Sequence, residues 1–247
     1  DGEAVVTGIR ADGTGYWEEN FYVPEMPTGE YGITAEGEQT QDIGELNFEI
    51  KPDIVLSPDE GHVGIDLTAT GHGFAANEDV VIMYDDSQVA TAETNDKGSF
   101  SGVSFLVPVG IHGAHQVTAG YAAGNAASAI FTMESDPPPV PELISPPDGG
   151  RVGFIGRVTP TFEWSEVSDD SGVYYNLQIA TSENVTDTGE FADPIVSKNV
   201  SVGTSYTLEE TEALPLGTYY WIVQAVDGAE NESDWTAARS FRAGLLP

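Results

Sequence analysis

Residues 95–108 read Asn95-Asp96-Lys97-Gly98-Ser99-Phe100-Ser101-Gly102-Val103-Ser104-Phe105-Leu106-Val107-Pro108. The Asn-Asp-Lys-Gly run is a turn signal, because such residues bond their own backbone or tolerate positive φ. After it, Phe100, Val103, Phe105 and Val107 space apolar side chains as a half-buried strand does. Pro108 ends that strand, having no N–H for a ladder. The pattern also stands 84 residues upstream. Thr7 matches Thr91, Asp12 matches Asp96, Tyr16 matches Phe100 and Phe21 matches Phe105. Val23-Pro24 matches Val107-Pro108, Gly29 matches Gly113, and Ile33-Thr34-Ala35 matches Val117-Thr118-Ala119. A fixed offset over this many apolar and turn positions marks a repeated module.

The second copy runs from Pro52 to Glu134. Its short alternating segments include Ile54–Leu56, Ile65–Ala69, Val80–Tyr84 and Gln116–Ala119, with turn signals at Asp59–Gly61 and Asp85–Ser87 between them. About seven strands in about 80 residues is the signature of a β-sandwich. The first copy is shorter. Counting back by 84, Asp1 falls where Asp85 would stand, so counterparts of Pro52–Tyr84 are missing from this sequence. Residues 1–50 alone would then present inner faces and open strand edges. Two readings stay open: upstream sequence supplies the missing strands, or a neighbouring molecule does.

A third module follows Asp136-Pro137-Pro138-Pro139-Val140-Pro141, a stretch expected to be extended and stiff. Pro160-Thr161-Phe162-Glu163-Trp164 reads as a strand with a buried Trp. Val173–Ala180 and Tyr219–Val226 alternate, and Tyr219, Trp221, Val223 and Ala225 would share one face. The expected organisation is a partial module over 1–51, a complete one over 52–134, a linker over 135–141 and a third module over 142–247. The fold class is all-β: tandem immunoglobulin-like β-sandwiches with almost no helix.

The segments Leu56-Ser57-Pro58, Gly61-x-x-Gly64 and Leu67-x-Ala69-x-Gly71-x-Gly73-Phe74 resemble the start of an IPT/TIG-like immunoglobulin repeat. Asp96-x-Gly98-Ser99-Phe100, Val107-Pro108 and Val117-x-Ala119 complete that likeness. Gly71 and Gly73 are expected to allow a tight bend or positive φ. Residues 142–247 resemble a fibronectin type III or related Ig-like module, on Leu214-Pro215-x-Gly217-Thr218-Tyr219-Tyr220-Trp221, Ala225-Val226-Asp227 and Asn231-x-Ser233-x-Trp235. The resemblance implies that Tyr219 is a tyrosine-corner residue. Ile222 stands where such modules often carry Arg, which would leave that exposed face less charged. The resemblance also implies an extracellular, prokaryotic surface setting. Gly244-Leu245-Leu246-Pro247 is a candidate junction to a further module or anchor.

Composition narrows function. The chain has 247 residues, 40% of them hydrophobic, and no cysteine, which excludes disulfides, thiolate metal sites and thiol catalysis. There are 41 acidic residues against 8 basic ones, a formal charge of −33. Such a surface repels nucleic acid and anionic lipid, so no nucleic-acid partner is expected, and a membrane only through an anchor outside this chain. No run of 18 apolar residues is present. Phosphate-loop, zinc-protease and serine-hydrolase motifs are missing. His62, His72, His112 and His115 show no metal spacing, and chance carboxylate pairs such as Glu209-Glu210 are expected at this acidity, so no enzyme is expected.

Hard cations take several loop oxygens. No cofactor is required, and calcium is the one candidate, on Asp227, Glu230 and Glu232 with Asn231, on Asp85 and Asp86, or on the Asp169-Asp170 pair. Sequons place candidate N-glycans on Asn184, Asn199 and Asn231. Adjacent Tyr16 and Trp17 cannot both face a core if they lie on a strand. The reading that joins these features is a non-enzymatic surface protein, a stalk or a subunit of a cell-surface layer, sheath or filament. Its partners would be copies of itself, other envelope proteins or glycans. Adhesion or carbohydrate binding, and an accessory role beside a secreted hydrolase, are the alternatives.

Overall fold

The computed structural model describes residues 4–38, 44–121 and 124–244. Among them the protein is all-β, with a single 3-10 turn at Glu210–Glu212. Of the candidate junction Gly244–Pro247, residues 245–247 lie outside the described set.

Five sheets form. β1 (Gly29–Thr34) and β2 (Glu45–Ile50) make a two-stranded antiparallel ribbon in which Tyr31 faces Phe48. β3 (Asp53–Ser57), β5 (Asp66–His72) and β8 (Phe100–Leu106) form a three-stranded sheet. β4 (Glu60–Gly61), β10 (Gly124–Met133), β9 (Gly113–Tyr121), β6 (Asp79–Tyr84) and β7 (Ser87–Glu93) form a five-stranded one in that order. The same three-plus-five plan recurs downstream. β11 (Leu143–Ser145), β13 (Thr161–Trp164) and β16 (Ser205–Thr207) make the small sheet. β12 (Gly150–Val152), β18 (Arg239–Ala243), β17 (Gly217–Asp227), β14 (Val173–Ala180) and β15 (Pro194–Val200) make the large one. These are tandem Ig-like β-sandwiches.

The chain divides into two compact units. One gathers everything up to Ser57 with Thr68–Phe105 and Gln116–Ala129. The other gathers Pro58–Leu67, Leu106–His115 and all that follows Ile130.

In the first unit, alternation buries Val80, Ile82 and Tyr84 along β6. Phe74 packs against Phe100 and Tyr121, with ring centroids 5.5 and 6.2 Å away. Gly73 has φ +68°, and a Cβ there would lie 2.6 Å from the Lys51 carbonyl oxygen. Gly71 lacks positive φ. Its role is close approach, because a Cβ would strike the Phe100 ring. Residues 4–28 form no strand, unlike their repeat counterparts in β7 and β8. A strand needs a partner ladder for its backbone groups, and this stretch has none.

In the second unit, Trp164, Trp221, Phe162 and Phe241 lie at the centre of the core. Phe162 meets Trp221 edge-on at 5.1 Å. β17 sends Tyr219, Trp221, Val223 and Ala225 into that core, as alternation predicts. Its other face differs from expectation. Ile222 is fully buried in a second cluster with Ala180 and Phe191, flanked by Tyr220 and Trp235. Loops therefore cover the face that a two-layer reading leaves open.

One corner recurs three times. The Tyr219 hydroxyl donates to the Pro215 carbonyl at 3.0 Å. The Tyr31 hydroxyl donates to the Pro27 carbonyl at 2.9 Å. At the position 84 residues after Tyr31 stands His115, whose Nε2 meets the Ile111 carbonyl at 2.6 Å. Each bond spans four residues back, so imidazole serves at His115 where phenol serves at Tyr31 and Tyr219.

Candidate metal centre

Three segments of the second unit converge. Glu134 follows β10, whose end is pinned by Thr132 N–H donating to Asp59 O and Glu134 N–H donating to Gly61 O, both at 2.8 Å. Asp169 opens a tight turn in which Ser171 N–H donates to its Oδ1 at 2.8 Å, and Gly172 takes φ +78°. Asp227 ends β17 and is fully buried. Its Oδ1 accepts the N–H groups of Ala229 and Asn231 at 2.8 Å, and its Oδ2 accepts Asn231 Nδ2 at 2.8 Å. A buried carboxylate needs such donors, and the turn that supplies them curls the chain back onto β17.

The segments are stitched together. Ser171 Oγ donates to Glu134 Oε1 at 2.6 Å and accepts Val63 N–H at 3.3 Å. Asn231 Nδ2 also reaches Glu134 Oε2 at 3.2 Å. His112 N–H donates to Ala229 O at 2.7 Å. Carboxylate oxygens of Glu134, Asp169 and Asp227 lie within 4.8 Å of one another, the only such group of three or more found among the described residues. Burial pushes the Asp169 carboxyl up, and the charges of Asp227, Glu134 and Asp170 push the same way. Three like charges at this spacing could hold a metal ion, and oxygen-only donors suit a hard one.

Of the seven carboxylates singled out from sequence as calcium ligands, Asp227 and Asp169 belong to this group, from two different candidate sets. Glu230 is exposed at φ +59°, and Glu232 is exposed and accepts Gln224 Nε2 at 3.2 Å. Asp85 and Asp86 form the two-residue loop of the β6–β7 hairpin, with Asp85 at φ +48°. Asp85 Oδ1 accepts the Gln116 N–H at 2.9 Å. Asp169 was read with its neighbour Asp170, whereas Glu134 carried no local signal. Among the sequons, Asn184 and Asn199 are exposed. Asn231 is buried, with its amide nitrogen committed as above.

The first unit holds an open recess of about 470 Å³ lined in part by Glu25, His72, Asn95 and Ser99. Ser99 Oγ and His72 Nδ1 both bond Glu25 Oε1, at 2.9 and 2.7 Å. The Ser99 hydrogen bond, then His72, holds the Glu25 carboxyl below its usual range. His72 Nδ1 also lies 3.4 Å from Ser99 Oγ, a longer contact than either group makes with Glu25.

A family model, the Rha78A-like N-terminal immunoglobulin domain, matches residues 152–247. Fibronectin(III)-like modules of Clostridium thermocellum CbhA are 14% identical with TM-score 0.33, covering 78% of this chain and 93% of that one. The chicken CNTN1 FN1–FN3 domains are 13% identical with TM-score 0.36, covering 89% and 79%. No match is found among curated proteins. The fold is that of tandem Ig-like β-sandwiches. Such modular folds are typical of extracellular and cell-surface proteins.

Proposed function

We infer that the protein is an adhesion-type surface protein that presents its modules to a partner or glycan. The seam formed by Glu134, Ser171, Asn231, Val63 and His112 carries this reading. It commits the convergent polar chemistry of the second unit to joining loops. Residues 52–134, read as an IPT/TIG-like module, and 142–247, read as a fibronectin type III-like module, would be held at that seam. Calcium on Glu134, Asp169 and Asp227 would stiffen it by relieving their mutual repulsion. A glycan and envelope-protein array probed with the whole chain, with calcium and with chelator, tests both parts. Binding that weakens on chelation is expected. Absence of binding in every condition removes the adhesion reading.

A second reading, accessory modules of a secreted hydrolase, draws on the family match. The matching domain is N-terminal in Rha78A-like proteins. Sequencing the full reading frame decides it: a catalytic domain downstream supports this reading, and a chain of further sandwich modules removes it.

A further inference from the structure

Half of the chain's eight basic residues fall near one end of one sheet: Arg151, Arg157, Arg239 and Arg242. β12 runs parallel to β18 with Arg151 opposite Arg242. Phe241 and Ala243 belong to the core, so alternation sends Arg242, and Arg151 beside it, to the outer face. Both are exposed, as is Arg157 at the end of the loop after β12. That loop carries Phe154 and Ile155, 76% and 89% exposed, and Leu216 is 50% exposed. A Cβ on Gly244 would strike Leu216 and lie 4.0 Å from the Phe154 carbonyl oxygen, which puts these residues in one patch.

The patch is electrostatically unfinished. Arg239 has Asp148 as a nearby opposite charge. Arg151, Arg157 and Arg242 form no salt bridge among the described residues, in a chain with 41 carboxylates. Like charges side by side on a sheet repel, so an anion with an apolar companion is the matching occupant. The chain itself carries one. Tyr16-Trp17-Glu18-Glu19-Asn20-Phe21-Tyr22, in the first unit, is exposed throughout, with Tyr22 98% exposed. Guanidinium groups pair with carboxylates and stack on aromatic faces, and this stretch offers both.

We propose that the Arg151–Arg157–Arg242 patch, with Phe154, Ile155 and Leu216, docks on residues 16–22 of a second copy of this chain. The contact joins two different surfaces, so each copy can receive one neighbour and offer itself to another, and the contact propagates unless its rotation closes a ring. It stands independently of the adhesion reading, since it requires no foreign partner.

Sedimentation velocity over a concentration series, at physiological ionic strength, tests it on the 247-residue chain. Concentration-dependent association is expected. Arg151→Glu with Arg242→Glu should weaken it by more than about tenfold, and so should Glu18→Arg with Glu19→Arg. Mixing the two variants should restore association, because each retains one native surface and each reversed surface meets its opposite. All four positions are exposed, and thermal melting checks that each variant folds. A wild-type chain that stays monomeric overturns the proposal. So does association that survives both reversals, or a mixture that fails to recover. Binding of the wild type to heparin through these arginines without self-association would assign the patch to polyanions instead, which also overturns it.

Discussion

At the residue scale, three side chains share one task. Tyr31, His115 and Tyr219 each bond a carbonyl four residues back. A neutral hydrogen bond of this kind is worth about 1 kcal/mol net. Tyr219→Phe is expected to lower unfolding free energy by about that amount in urea titration, and His115→Phe by somewhat more, since the larger phenyl ring must also crowd the Ile111 carbonyl it no longer bonds. The tyrosine role of Tyr219 was legible from its Leu-Pro-x-Gly context. That of His115 was not, although the offset from Tyr31 held the clue, because a histidine among turn residues reads as solvated surface. Gly71 makes a second case. Gly71→Ala should cost more than the ~1 kcal/mol that substitution at an unstrained site would show, because Phe100 occupies the space. Adding Phe100→Leu should recover part of the loss in the same titration.

At the element scale, strands were legible and their covers were not. Val173–Ala180 is read from sequence with the bounds that β14 takes, because strict alternation of a two-sided strand leaves little freedom. Ile222 shows the limit: alternation says which face a residue takes, not whether Phe191 and Trp235 from distant loops will cover it. The carboxylate group was illegible for the same reason, since Glu134, Asp169 and Asp227 come from three separate segments. Its consequences are testable. Asp227→Ala leaves the Ala229 and Asn231 N–H groups buried without an acceptor, and a loss of about 2–4 kcal/mol is expected in denaturant unfolding. The sequon at Asn231 should stay unmodified when the chain is secreted from a glycosylating host, while Asn184 and Asn199 remain available. Glycopeptide mass spectrometry reads both outcomes.

At the scale of the whole molecule, charge and pH act in opposite directions at different carboxylates. Glu25 is held low by Ser99 and His72, and Asp148 by the N–H and hydroxyl of Ser240. Their contribution is full above the ordinary carboxylate range and is lost as pH falls through their lowered values. Asp169 is raised, so its folded form takes up a proton first. Its ionised state costs stability at neutral pH, and that cost is relieved as pH falls through the raised value. Asp169→Asn keeps the acceptor for Ser171 and should therefore raise the neutral-pH melting temperature while flattening its rise on mild acidification. Calcium should raise the melting temperature of the wild type and leave that of Asp169→Asn nearly unchanged. A calcium response of equal size in both would separate the ion from this cluster.

The bonds from Ser171, Asn231 and Ala229 back to Val63, Glu134 and His112 also decide what a protease can achieve. A single cut within Pro137–Pro141 breaks the chain but none of those bonds. The two pieces should elute together in native gel filtration and part only in denaturant. Continuity of the polypeptide and cohesion of the second unit would then be separable properties.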